Sequence, residues 1–144
     1  MNIKNILLVT FSLATIAVTA QEQIINSNDL PSGATTFLST HFKDNPIKQV
    51  VKDTDKKKVT FEVTLNDGTE LEFSQKGNWK EVDGKNKAIP TAFIPKAIAD
   101  YINTNYPKEK ITHIDKGNRD YDVDLTNGLD LEFDLNGKFL RIDK

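Results

Sequence analysis

The chain has 144 residues, too few for two independently folded domains with cores of their own. With 28% charged and 38% hydrophobic residues it has the balance of a globular domain, not of a disordered tract or a membrane-embedded chain. A formal net charge of -2 argues against a general nucleic-acid binder, which would show a basic surface, and the absence of cysteine excludes disulfides, thiolate metal sites and cysteine nucleophiles.

The chain opens with a short segment holding one charge, Lys4, followed by an uncharged apolar run over residues 6–18. Val18, Thr19 and Ala20 then supply the small residues that a signal peptidase reads, so residues 1–20 are expected to be a signal peptide cut after Ala20. The run is shorter than the roughly 20 apolar residues that span a bilayer. The expected location is therefore periplasmic or secreted, with no membrane insertion after cleavage. Residues 21–29 read as a short N-terminal tail, and residues 30–144 as a single domain.

The domain begins with a helix. Ala34, Phe37, Leu38, His41 and Phe42 form one apolar stripe at the helical period, and Pro46 stops it. Strands follow over residues 59–65 and 71–73, where apolar and polar residues alternate as they do in a sheet with one buried face. Asn66-Asp67-Gly68 has the composition of a three-residue hairpin loop closed by a left-handed glycine. That loop pairs Phe61 with Phe73, Val63 with Leu71 and Glu62 with Glu72. Gly77 marks a second hairpin, which sets Trp79 beside Phe73 and Lys80 beside Glu72.

After a linker over residues 84–93 the pattern repeats. Leu30-Pro31, Phe37, Phe42, Ile47 and Val50 return as Ile94-Pro95, Tyr101, Tyr106, Ile111 and Ile114 at a constant offset. Beyond a slightly shorter loop, Phe61, Val63, Leu65, Gly68, Leu71, Phe73 and Gly77 return as Tyr121, Val123, Leu125, Gly128, Leu131, Phe133 and Gly137. The chain is thus two copies of a helix-plus-meander unit, residues 30–83 and 94–144. The fold class expected is α+β, one antiparallel sheet of about eight strands with helices packed on one face.

These residues resemble a family. Leu30-Pro31, Phe37, Phe42, the string from Phe61 through Asp67-Gly68 to Phe73, and Trp79-Lys80-Glu81-Val82 carry the resemblance in the first copy. Ile94-Pro95, Tyr106-Pro107, the string from Tyr121 through Asn127-Gly128 to Asp134, and Gly137 carry it in the second. The chain is similar to PepSY-like, β-lactamase-inhibitor-like domains of exported Bacteroidetes proteins. The resemblance implies a curved sheet with helices on its convex side and an open concave face. It further implies a protein partner, a peptidase or other exported enzyme. No residue-level motif of the family transfers.

The register itself says more about the open face. It sets Glu62 opposite Glu72, Asp122 opposite Glu132 and Asp124 opposite Asp130, with Asp120 and Asp134 extending the row. Like charges directly opposed on a sheet are destabilising. Lys80 moderates the first copy, whereas its counterpart in the second is Leu140, and Leu140, Ile142 and Val82 would be apolar spots on the flank. One reading is a solvated face that resists edge pairing. The functional reading is a non-enzymatic module that docks or inhibits a protein partner through a surface comprising Glu62, Glu72, Lys80, Asp120, Asp122, Asp124, Asp130, Glu132, Asp134 and Leu140. An alternative is a small-ligand or calcium-binding carrier. Asp120-x-Asp122-x-Asp124 has the start of a calcium loop, but the glycine such a loop needs is missing and the segment reads as strand.

No catalytic site is expected. His41 belongs to the apolar stripe of the first helix, and His113 falls in or beside the first strand of the second copy with no serine at catalytic spacing. HExxH, GxSxG, P-loop and GxGxxG patterns do not occur, and no residue set calls for a metal or other cofactor.

Overall fold

The computed structural model describes residues 21–143. The expected leader, with its cleavage position at Ala20, lies outside the described residues. The described residues form nine strands: β1 (Gln21–Ile24), β2 (Ile47–Asp55), β3 (Lys58–Leu65), β4 (Glu70–Ser74), β5 (Trp79–Asp83), β6 (Ile111–Lys116), β7 (Asp120–Leu125), β8 (Asp130–Asp134) and β9 (Phe139–Asp143). They lie side by side in chain order in one open antiparallel sheet. Helix α1 (Ser32–His41) connects β1 to β2, and α2 (Lys96–Asn105) connects β5 to β6. The class is α+β with a curved sheet, as the patterning predicts, but with nine strands instead of about eight.

The extra strand is β1. Gln21–Ile24, expected as a tail, pairs with β2 from Gln21↔Thr54 to Ile24↔Val51. Its sequence QEQI is too short to show alternation, and all four residues are exposed. Its order comes from the ladder with β2, which nothing in β1 itself encodes.

Hairpin chemistry fixes the rest. Asp67-Gly68 and Asn127-Gly128 turn the chain so that Phe61↔Phe73, Glu62↔Glu72 and Val63↔Leu71 pair in the first copy. Tyr121↔Phe133, Asp122↔Glu132, Val123↔Leu131 and Asp124↔Asp130 pair in the second. Because side chains alternate between faces, this register sends every apolar member to the side that carries the helices. Val63, Phe73, Val82, Ile98, Ile114, Val123, Leu131 and Phe133 are all fully buried there. The two copies use equivalent contacts. The Phe37 ring of α1 meets Phe73 edge-on at 5.6 Å, and Tyr101 of α2 meets Phe133 edge-on at 5.4 Å.

Residues 84–93, expected as a linker, belong to the packed structure. The Gly84 N–H donates to the Thr112 carbonyl at 2.8 Å and the Ile89 N–H to the Ile111 carbonyl at 3.0 Å. Ile89 is buried, and Phe93 packs against Phe37 at 4.9 Å and Trp79 at 5.2 Å. These contacts close the seam where β5 pairs with β6 through Glu81↔Asp115, Val82↔Ile114 and Asp83↔His113. The two copies therefore share one sheet and one core.

The register steps at four places in the sheet, between β2 and β3, β4 and β5, β6 and β7, and β8 and β9. In β4–β5 the register steps between Glu72 and Phe73, so Trp79 opposes Phe73 while Glu81, not Lys80, opposes Glu72. The same step in β8–β9 sets Phe139 against Phe133 and Arg141 against Glu132, leaving Leu140 as the inserted residue. Such an insertion bends the strand and re-aims its side chains. Val82, expected as an apolar spot beside the open face, is instead on the helix side and fully buried. Leu140 and Ile142 are exposed, at 48% and 42%.

Candidate acidic binding face

The side of the sheet opposite the helices is built from the alternate residues of the same strands. Following the pairings across it, Glu62, Glu72, Glu81, Asp115, Asp122 and Glu132 form one row over the six adjacent strands β3 to β8, and Arg141 ends the row on β9. A second row runs through Thr64, Glu70, Asp83, His113, Asp124, Asp130 and Asp143. Neighbouring strands lie about 4.8 Å apart, so Glu72, Glu81, Asp115 and Asp122 each have like charges one strand spacing away on both sides. Sequence reading finds the rows within each copy. It misses that they join at the β5–β6 seam.

The crowding shows in the protonation equilibria. Burial, then the charge of Glu72, raises the pKa of Glu62. Burial followed by Asp120 and Asp115 raises that of Asp122, and burial followed by Asp124 and Asp122 raises that of Asp130. Glu132 is raised by burial despite its ion pair with Arg141. It is the one buried carboxylate of the face, with 6% exposure. The Glu132–Arg141 pair corrects the expectation that the second copy has little charge relief around Leu140.

Relief elsewhere is local. Lys80 Nζ reaches Glu72 at 3.7 Å, and Lys85 Nζ lies 2.7 Å from both Glu70 and Asp83. Asp134 serves the chain itself: its Oδ1 accepts from the Asn136 and Lys138 N–H groups at 2.9 Å and so closes the β8–β9 turn. Asp120 opposes it at the end of β7. Of the expected site residues, Glu62, Glu72, Asp122, Asp124, Asp130 and Glu132 thus form the continuous field, with Lys80 at its margin. Leu140 sits on the terminal strand.

At the centre of the field stands His113. Its Nε2 lies 3.0 Å from Glu81 Oε1 and its Nδ1 3.3 Å from Asp124 Oδ2, so the ring, when protonated, bridges the first copy to the second. The hydrogen bond with Glu81 is the largest cause of a raised His113 pKa and of a lowered Glu81 pKa. The bridge therefore stabilises the fold most strongly at pH values above the Glu81 transition and below the His113 transition. Stability drops as pH falls through the lowered Glu81 pKa and as it rises through the raised His113 pKa. Urea midpoints measured against pH should show an upper limb on the order of 1 kcal/mol in the wild type. His113→Gln should lack that limb.

Among the described residues, no group of three or more His, Cys, Asp or Glu side chains is placed to hold a metal ion. No helix among them is long and apolar enough to cross a membrane. His41, on α1, packs in a tilted arrangement 4.7 Å from Phe37 and edge-on 5.3 Å from Phe93, at the edge of the core.

The fold and face define a class: a tandem-repeat α+β domain whose single sheet is backed by helices on one side and presents acids on the other. The chain belongs to the PepSY-like family. Residues 59–141, more than half of the chain, match the family model described as "Putative beta-lactamase-inhibitor-like, PepSY-like". The chain is similar to a solved structure from Bacteroides thetaiotaomicron, described as a "putative calcium-regulated periplasmic protein", at 36% identity and a TM-score of 0.82. That likeness covers 85% of this chain and 97% of the other. Two solved proteins of Bacteroides vulgatus are similar as well, each described as a "putative periplasmic protein". One shows 39% identity and a TM-score of 0.82 over 85% of this chain and 97% of the other. The second shows 35% identity and a TM-score of 0.81 over 86% of this chain and 100% of its partner. Among curated proteins no match is found.

Proposed function

We propose that this chain is a non-enzymatic periplasmic binding module that docks a protein partner, by a basic segment, on its open acidic face. The observation that carries the reading is the acid row across six adjacent strands, from Glu62 to Glu132. Opposed like charges cost stability in the free protein. A cationic segment laid across the strands recovers that cost, and charge complementarity supplies steering and register. A periplasmic location is supported by the description of the solved relatives and by the leader-like residues 1–20. Export with cleavage after Ala20 would make Gln21, the first residue of β1, the mature terminus. Mass spectrometry of protein recovered from the periplasm should give a chain beginning there; a retained leader would contradict export by cleavage.

The test is a comparison of captured partners. Wild type and the isosteric Asp122→Asn, Asp124→Asn, Glu132→Gln variant would each be used as bait in periplasmic extract. A partner class held by the wild type and lost from the variant is expected, while identical sets would end the role assigned to this face. A calcium-handling role is the second reading, favoured by the description of one relative. On the docking account, calorimetric titration with calcium gives no saturable heat and no shift in melting temperature.

A further inference from the structure

The acidic face carries a titratable base, His113, at its centre. His113 lies on β6 with Glu81 at 3.0 Å on one side and Asp124 at 3.3 Å on the other. Its side chain is 21% exposed and those of Glu81 and Asp124 are 41% and 44% exposed, so the bridge is partly buried and reachable from the open face. The groups that face it from every strand packed around it are acidic. They are Glu81 and Asp83 on β5, Asp115 on its own strand, and Asp122 and Asp124 on β7, with Asp130 beyond on β8. The other basic groups of the face lie at its margins. Lys85 is engaged with Glu70 and Asp83, Lys80 with Glu72, and Arg141 with Glu132.

We propose that His113 gates the docking face: as imidazolium it occupies the central anionic position between Glu81 and Asp124, and as neutral imidazole it leaves that position to a lysine or arginine of the partner. The inference rests on the docking reading given above and names how that face is regulated. The geometry supplies the mechanism. Nε2 hydrogen-bonds Glu81 and Nδ1 pairs ionically with Asp124, and both contacts are favourable only while both ring nitrogens carry protons. Loss of the proton removes one donor and one positive charge from the middle of the field. Neither carboxylate then faces a cation, and one of them also loses its N–H donor, in a strip where further acids crowd both. A cationic side chain arriving there meets a stronger attraction and no resident competitor. Affinity for a basic segment must therefore rise as pH rises through the His113 transition. The raised pKa of His113 moves that transition above the ordinary imidazole value of 6.5. Linkage requires the reciprocal effect, that a bound cationic segment lowers the His113 pKa.

The experiment uses the mature full-length chain and a synthetic alternating lysine–threonine peptide at low salt. Affinity is titrated on both sides of the His113 transition for the wild type, His113→Gln and His113→Lys. In parallel, the His113 ring protons are followed by NMR in free and peptide-saturated protein. The wild type is expected to bind about tenfold more tightly above the transition than below it, and its His113 pKa to fall by about one unit when saturated. His113→Gln should bind at the tighter level throughout, and His113→Lys at the weaker level throughout, both without the step. A step of wild-type size retained in His113→Gln, or a His113 pKa unmoved by saturating peptide, overturns the gate while leaving docking intact. Absence of peptide binding by the wild type at every pH overturns the docking reading and the gate together.

Discussion

Replacing Phe133 by alanine is expected to lower the unfolding free energy by about 3–5 kcal/mol, a large share of the 5–15 kcal/mol typical of a domain. Phe133 is fully buried, and its ring is held between two aromatic neighbours. Tyr101 of α2 meets it at 5.4 Å and Phe139 of β9 at 5.8 Å, both close to perpendicular. Truncation leaves a void that neither neighbour can fill without losing the contact between Tyr101 and Phe139, which stack at 4.7 Å. It also removes the partner of Tyr121 across the β7–β8 pair. Because both copies share one core, urea unfolding should remain a single transition at a lower midpoint. Two separated transitions would show that the copies unfold independently. Leu140→Ala is the control: with its side chain half exposed on the terminal strand, it should change stability by no more than about 0.5 kcal/mol.

The second large effect concerns how helix α1 is seated. Gly77 and Gly68 both lie in hairpin turns with left-handed backbone, at φ 82° and 90°. They differ in surroundings. A Cβ on Gly68 would meet nothing within 4 Å, whereas on Gly77 it would lie 2.8 Å from the Ala34 nitrogen and 3.0 Å from Pro31 Cβ. Gly33 of the helix approaches the same turn, and a Cβ there would sit 2.9 Å from the Gly77 carbonyl oxygen. Gly68→Ala should therefore cost only the backbone strain, about 1 kcal/mol. Gly77→Ala must also push the first turn of α1 off the β4–β5 turn, for roughly 2–5 kcal/mol in total. Differential unfolding in urea measures both. Equal losses at the two positions would mean that α1 does not depend on this close approach.

What the sequence made legible divides along one physical line. Features set by neighbouring residues could be read: the helical stripe from Ala34 to Phe42, and the pairing of Phe61 with Phe73 and Tyr121 with Phe133 through Asp-Gly and Asn-Gly turns. The opposed acids Glu62 and Glu72, or Asp122 and Glu132, followed from the same turns. Features set by distant partners could not be read. Strand β1 exists only through its ladder with β2. The β5–β6 pairing joins segments separated by a helix, with no turn to fix the register, so Glu81, Asp115 and the His113 bridge were invisible as parts of the face. The bulges had no local mark either. They put Glu81 in the row where Lys80 was expected, brought Arg141 to Glu132, and left Leu140 inserted. Polarity alternation marked which residues face away from the helices. How their charges add up depended on which strands lie adjacent.

The account stands or falls on whether the acid row is a docking surface. The most direct measurement is the affinity of the alternating lysine–threonine peptide for wild type and for the Asp122→Asn, Asp124→Asn, Glu132→Gln variant, at low and high salt, above the His113 transition. Saturable binding by the wild type, weakening steeply with salt and about tenfold weaker in the folded variant, is the expected result. Equal affinity of the two proteins, with both folded, would contradict it.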